Sequence, residues 1–279
     1  MTAYEPRRPG RHETREFRGL AHHLIHWGPD SDDPVLFLHG YADAASTFQF
    51  VADELMPELP VVAIDWRGFG QTARAPGGCY WFPDYYADLG QFVEALCPRR
   101  PARIVGHSMG ANVAMIYAGV RPERVRAIVN LEGFGLPRTT PDQAPARIAK
   151  WLDQLREHEE FGDYDDASHL AARIMKRNPH LTRERAEYVA ACWSAPLPGG
   201  GVRLLADPAH RLVNPYLYRR EEMEACWRRI AAPVLLVLGD RSELVARLGM
   251  EGGVETFRPL VAKLRIETVA GAGHMLHHE

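Results

Sequence analysis

The chain has 279 residues, with 33 Lys and Arg against 36 Asp and Glu, a formal charge of −3, and 46% hydrophobic residues. That balance describes one large globular domain or a domain with an insertion, and near-neutral charge leaves no field for wrapping nucleic acid. The opening stretch MTAYEPRRPGRHETREFRG lacks the apolar centre of a secretory signal. The densest apolar run, Pro233 to Leu238, is far short of the roughly 20 residues of a membrane helix, so a cytoplasmic protein without membrane contact is expected.

In chain order, His22, His23 and His26 in AHHLIHWG have no Cys or carboxylate at ligand-like spacing, and no metal site is read there. Continuous apolar runs follow at Val35 to Leu38, Val61 to Ile64, Arg103 to Val105, Val125 to Leu131, Val234 to Leu238 and Arg265 to Val269. Runs of that kind suit strands covered on both faces. Helical patterns separate them at about Ser46 to Met56, Pro83 to Leu96 and Met109 to Val120. Alternating units of this kind predict an α/β fold: a mostly parallel central sheet with helices on both faces. After Leu136 the alternation breaks. No strand is expected from Pro137 to about Arg229, only helices near Ala146 to His158, Ala167 to Lys176 and Thr182 to Trp193. The expected division is therefore a core of residues 1–136 and 230–279 and an inserted helical cap of residues 137–229. The acidic run Glu157 to Asp166, which includes His158, reads as a solvated helix end and loop. The isolated Cys79, Cys97, Cys192 and Cys226 read as free thiols of a reducing compartment.

The stretch ARIVGHSMGANVAMIYAG carries the chemistry. An apolar strand enters Gly106-His107-Ser108-Met109-Gly110 and a helix leaves it, so Ser108 stands at the apex of a tight turn where side chains on the flanking glycines would clash. The Met109 N–H lies at the positive end of the new helix, where a developing oxyanion is stabilised. A second donor is expected from the Tyr41 N–H, because Val35 to Leu38 runs into His39-Gly40-Tyr41 and Gly40 permits the backbone twist. A serine needs a base. His274 in GAGHM, following the strand Arg265 to Val269, is the candidate.

The set LFLHGY, DWRGFG, GHSMGAN and GAGHM, in this order, resembles the α/β-hydrolase superfamily, in its capped serine-hydrolase branch. The likeness covers nearly the whole chain, with a narrower likeness to the serine-hydrolase-like group. It implies that Arg67 and the glycines of DWRGFG are structural. It also implies a triad whose acid most relatives place three residues after the glycine closing the seventh strand. Here Ser242 holds that place, Asp240 lies one residue after Gly239 and Glu243 four after it. Other relatives take the acid from the end of the sixth strand, where Glu132 stands. Glu132 is preferred, with Glu243 and Asp240 as alternatives. Relatives usually continue past the catalytic His into a final helix. This sequence stops five residues after His274, so a loosely held His274 loop is expected, with His277 and His278 in a solvated terminus.

A serine nucleophile implies acyl transfer to water, with a carboxylic ester or lactone as the small-molecule substrate, and with no cofactor or metal. A carbon–carbon bond hydrolase or perhydrolase would use the same triad, and a non-catalytic ligand-binding protein is the alternative of another class. The cap aromatics Trp151, Phe161, Tyr164, Tyr188, Trp193, Tyr216 and Tyr218 either line an apolar pocket or pack the cap's own small core.

Overall fold

The structure is a computed structural model that describes residues 4–157, 160–244 and 254–279, so His158 lies outside the described residues. An eight-stranded sheet runs in the order β1-β2-β4-β3-β5-β6-β9-β10. Its strands are β1 (Arg11–Phe17), β2 (Leu20–Trp27), β3 (Val35–Leu38), β4 (Val61–Ile64), β5 (Ala102–His107), β6 (Val125–Leu131), β9 (Val234–Gly239) and β10 (Leu264–Val269). From β4 to β10 every pairing is parallel, whereas β1 pairs antiparallel with β2 and β2 antiparallel with β4.

The apolar runs sit where both faces are covered. In β3, Leu36 and Leu38 join one core with Phe92 of helix α2 (Phe82–Leu96), Val113 of α3 (Met109–Val120) and Trp227 of α7 (Arg220–Trp227). The alternate residues Val35 and Phe37 face a second core with Phe48 and with Ala52 of α1 (Gln49–Glu54). Period-two alternation with both faces buried leaves no polar position, hence the unbroken hydrophobic strings. The β1–β2 hairpin carries no such string. Its two-residue turn, Arg18-Gly19, has φ of 50° and 74°, the paired left-handed conformation of a tight hairpin. As an edge strand β1 is mostly exposed and charged, which discourages pairing with another chain.

Between β6 and β9 lie α4 (Ala144–Arg156), α5 (Ala167–Arg177), α6 (Arg183–Trp193) and α7. The expectation of no strand there is corrected by an antiparallel ribbon, β7 (Ser194–Pro196) with β8 (Val202–Leu204). The Pro- and Gly-rich PLPGGG that reads as punctuation is the turn joining them. Tyr164, Tyr188 and Trp193 pack against a third core of Leu170, Ile174, Leu181 and Val189, together with Phe50 from α1. Tyr216 instead stands 70% exposed. All four cysteines are free, Cys97 buried and Cys79 exposed.

One buried ion pair ties the turn after β4 to α2. Arg67 donates Nε and Nη2 to Asp88 at 2.6 Å each, and Arg18 adds a third bond to the same carboxylate at 2.9 Å. Burial pushes the Asp88 carboxyl up, but the Arg67 hydrogen bonds outweigh it and hold it down at about 2. Asp88 therefore stabilises the fold above its ordinary range near 3.8, and that contribution is lost as pH falls toward 2. Asp88→Asn is expected to cost about 3 kcal/mol in urea unfolding near neutral pH, because buried Arg67 loses its paired charge-assisted bonds and keeps only the partly exposed Asp84 at 3.4 Å. The difference from the parent chain should shrink toward pH 2.

Candidate active site

The elbow is built as the glycine spacing requires. Ser108 has φ 49° and ψ −110°, a conformation a non-glycine residue adopts only under constraint. The constraint comes from both sides: the Ser108 N–H donates to the Leu131 carbonyl on β6, and the Ser108 carbonyl accepts from Asn112 in α3. A Cβ at Gly106 would lie 2.6 Å from the Ala111 Cα, and one at Gly110 would lie 2.3 Å from the Leu38 carbonyl oxygen. Neither obstacle is a flexible side chain, so α3 can reach the sheet only over glycine.

Three strand ends bring the remaining groups together. His274, beyond β10, has its Nδ1 at 2.7 Å from Glu132 Oε2 and its Nε2 at 3.1 Å from Ser108 Oγ. A carboxylate only accepts, so Nδ1 carries the proton and Nε2 is free to accept from the serine hydroxyl. Glu132 is 1% exposed and leaves β6 with φ 56°. Asn130 closes that turn: its side chain accepts from Gly133 N–H at 2.7 Å and donates to the Gly133 carbonyl at 2.6 Å. The Glu132 carboxylate also accepts from Gly239 N–H at 2.8 Å and from the Ser242 hydroxyl at 2.6 Å. Of the alternative acids, Asp240 takes the Gly271 N–H at 2.8 Å and Glu243 is exposed. Ser242 and Asn130 were not singled out as contributors to the site. A hydroxyl standing where relatives carry the acid was the available signal for Ser242.

The loop after β3 crosses directly over the elbow. A Cβ at Gly40 would lie 2.6 Å from His107 Nδ1 and 3.2 Å from Ser108 Cβ. His39 is fully buried and its Nδ1–H donates to the Gly40 carbonyl at 2.8 Å, while its Nε2 accepts from Trp66 N–H at 3.0 Å. Carbonyl and N–H of a trans peptide point oppositely, so the pinned Gly40 carbonyl turns the Tyr41 N–H away from His39. The Met109 N–H opens α3, where the first N–H groups have no acceptor within the helix. The Tyr41 hydroxyl donates to the His210 carbonyl at 2.9 Å. The His210 ring stacks between Phe69 and Tyr80, 3.7 Å from each centroid, and burial holds it neutral with a pKa lowered to about 3. Residues between β6 and β9 thus close over the β3 loop.

The expectation of a solvated terminus and a loose His274 loop is corrected. His277 is 3% exposed and His278 1%. His277 Nε2 lies 3.0 Å from Asp43 Oδ2, and Arg185 donates to the His278 carbonyl at 2.9 Å. Gly273 N–H donates to the Glu279 carboxylate at 2.7 Å, and the His107 Nε2–H holds the His274 carbonyl at 2.9 Å. Burial alone would raise the Asp43 carboxyl, yet His278 and His277 beside it hold it well below the usual range. Burial lowers His277 to about 4. The AHHLIHWG histidines meet carboxylates that lie elsewhere in the sequence. His23 donates to Asp65 at 2.7 Å and His26 lies 2.7 Å from Glu13, partners that the fold supplies from distant or neighbouring strands.

Known proteins resemble this chain over most of its length. The family described as serine aminopeptidase, S33, matches residues 29–279. A serine hydrolase-like protein of Danio rerio is 34% identical over 58% of this chain, and the match spans about half of that relative, 51%. The 2-(acetamidomethylene)succinate hydrolase of Mesorhizobium japonicum is 26% identical over 87% of this chain and 82% of its own. Among solved structures, a thioesterase domain from the curacin biosynthetic pathway superposes with a TM-score of 0.85 at 27% identity, covering 96% of this chain and 94% of that one. No described helix is long and apolar enough to cross a membrane. Parallel sheet, covering helices and the family match across nine-tenths of its length agree: the chain belongs to the serine aminopeptidase S33-like family of the α/β-hydrolase superfamily.

Proposed function

We propose that this member of a hydrolase family is a serine hydrolase that cleaves a carboxylic ester or lactone through an acyl-enzyme on Ser108. The observation that carries the reading is the continuous contact Ser108 Oγ to His274 Nε2 at 3.1 Å and His274 Nδ1 to Glu132 at 2.7 Å. His274 takes the serine proton as Oγ bonds to the substrate carbonyl carbon, and the carbonyl electron pair moves onto oxygen. The Tyr41 and Met109 N–H groups receive that oxyanion. Collapse expels the alkoxide, which leaves with the proton from His274. Water activated by the same imidazole then frees the acid and restores Ser108. Glu132 keeps Nδ1 protonated and stabilises the imidazolium; Gly239 and Ser242 hold its carboxylate in place. The resemblance to a thioesterase domain supports acyl transfer as the reaction type.

Ser108→Ala is expected to abolish labelling by a fluorophosphonate probe and to lower kcat/KM on p-nitrophenyl esters by about 10⁴-fold or more. Labelling that persists at another residue rejects Ser108 as nucleophile. A ligand-binding protein without catalysis would show neither a burst nor turnover in the parent chain.

Glu132→Gln should lower kcat by roughly 10³- to 10⁴-fold, because an amide no longer enforces the productive tautomer. Ser242→Ala, which removes one hydrogen bond from the acid, should cost roughly 5-fold. Asp240→Asn and Glu243→Gln should change kcat little. The reverse order would transfer the acid role to the loop after β9.

A protonated imidazole cannot accept from serine, so kcat/KM should fall as the medium is acidified from about pH 8 to about pH 5. Buried His210 and His277, held at about 3 and about 4, titrate below that window and do not account for the loss. A flat profile with intact far-UV circular dichroism contradicts a histidine base.

A further inference from the structure

Beside the serine site lies a second group of titratable side chains that the proposed reaction does not use. We propose that Asp43, His277 and His278 form a binding site for one divalent transition-metal ion of zinc type, separate from Ser108, His274 and Glu132. Among the described residues this is the one group whose ligand atoms converge as a metal requires, all within 4.8 Å of one another. All three residues are buried, at 2%, 3% and 1% exposure.

Two of the three ligand separations match those of a tetrahedral centre. Metal–ligand bonds of about 2.0–2.1 Å place neighbouring ligands about 3.3 Å apart. His277 Nε2 is 3.0 Å and His278 Nε2 3.4 Å from the same oxygen, Asp43 Oδ2. His278 Nε2 is a buried nitrogen that makes no hydrogen bond and stands 3.4 Å from a carboxylate oxygen already used by His277. An ion between the three atoms would engage both imidazoles at once. The other carboxylate oxygen is fixed: Asp43 Oδ1 accepts from Thr47 Oγ1 at 2.9 Å and from Trp193 Nε1 at 2.9 Å. Outer hydrogen bonds of this kind orient a ligating carboxylate and leave Oδ2 turned toward the imidazoles. Two nitrogens and one oxygen are a donor set for zinc, cobalt or nickel rather than for calcium or magnesium, which take oxygen ligands.

The chain connectivity gives the site its consequence. Asp43 belongs to the loop after β3, two residues beyond Tyr41, and His277 lies three residues beyond His274. The ion therefore cross-links the loop that carries the base to the loop that covers the elbow. His107 spans the short distance between the two sites, its ring 4.3 Å from His277 and 4.8 Å from His274. The role is structural, and the acyl-transfer steps run without the ion.

The test uses the full chain in a Cys79→Ser background, which removes the exposed thiol as a competing ligand, after treatment with a chelator. Calorimetric titration with zinc should give one equivalent bound. Thermal unfolding should shift upward with zinc concentration, and cobalt should show the absorption of a tetrahedral centre. Asp43→Asn and His278→Gln should each weaken binding by about 100-fold or more, while Ser108→Ala leaves it unchanged. Loss of the equivalent in His274→Ala with retention in His278→Gln would put the ion on the catalytic imidazole and overturn the proposal. Equal affinity in all variants, or no binding at micromolar zinc, overturns it as well. If His278→Gln does not fold by circular dichroism, Trp193→Phe, which removes the indole bond to Asp43 and keeps an aromatic ring beside His278, should weaken binding by about 10-fold, and an unchanged affinity then rejects the site. Since zinc binding is read without substrate, its outcome is independent of the esterase assays.

Discussion

The candidate site depends on one buried carboxylate. Glu132 accepts from the backbone of Gly239, from the Ser242 hydroxyl and from His274 Nδ1, so one side chain joins the ends of β6, β9 and β10. An ionised group this deep is tolerable only when its oxygens are satisfied, and here the partners are fixed: an amide in the sheet ladder, a buried hydroxyl and an imidazole. Its backbone is equally committed. The left-handed turn at Glu132 is closed by Asn130, and Gly133 must lack a Cβ because one would sit 2.4 Å from Ala111 of the nucleophile helix. Glu132 and Ser108 are therefore held by one packed seam.

The same seam accounts for the departure at Ser242. In the pattern this family resembles, the acid comes from the loop after β9. Here that place holds a hydroxyl, and the carboxylate arrives from the neighbouring strand end. Glutamate has one more methylene than aspartate, which lets it cross from β6, and the shorter serine leaves room for it. A carboxylate at both places would set two like charges in one buried pocket, where one of them would be held protonated. The pair Glu132 and Ser242 avoids that by making one partner a donor.

The residues beyond His274 pack inward. Instead of trailing into solvent, they turn back into the gap between the β3 loop and α6, where Asp43, Trp193 and Arg185 meet them. His274 is thereby tied to the loop carrying Tyr41. The segment between β6 and β9 contributes as well: His210 stacks on Phe69 and Tyr80, and Tyr41 bonds to its carbonyl. Fold, insertion and base converge on the same few residues after β3.

Much of this was legible in order along the chain. The parallel strands announced themselves as unbroken apolar runs because both their faces are covered, and the elbow did so because its glycines face backbone rather than side chains. Ser108, His274 and Glu132 could be named because each follows such a run, and the ends of parallel strands share one edge of the sheet. β1 and the β7–β8 ribbon carry no apolar signature because they are exposed or very short, and β2 lacks an unbroken one because His22 and His23 occupy buried positions in it. Which acid meets the base, and whether His277 and His278 are wet or buried, turned on contacts spanning more than a hundred residues, such as Asp43 with His277. Local pattern reports what a residue needs from its immediate neighbours; the partner that arrives from a distant strand is decided only when the sheet closes.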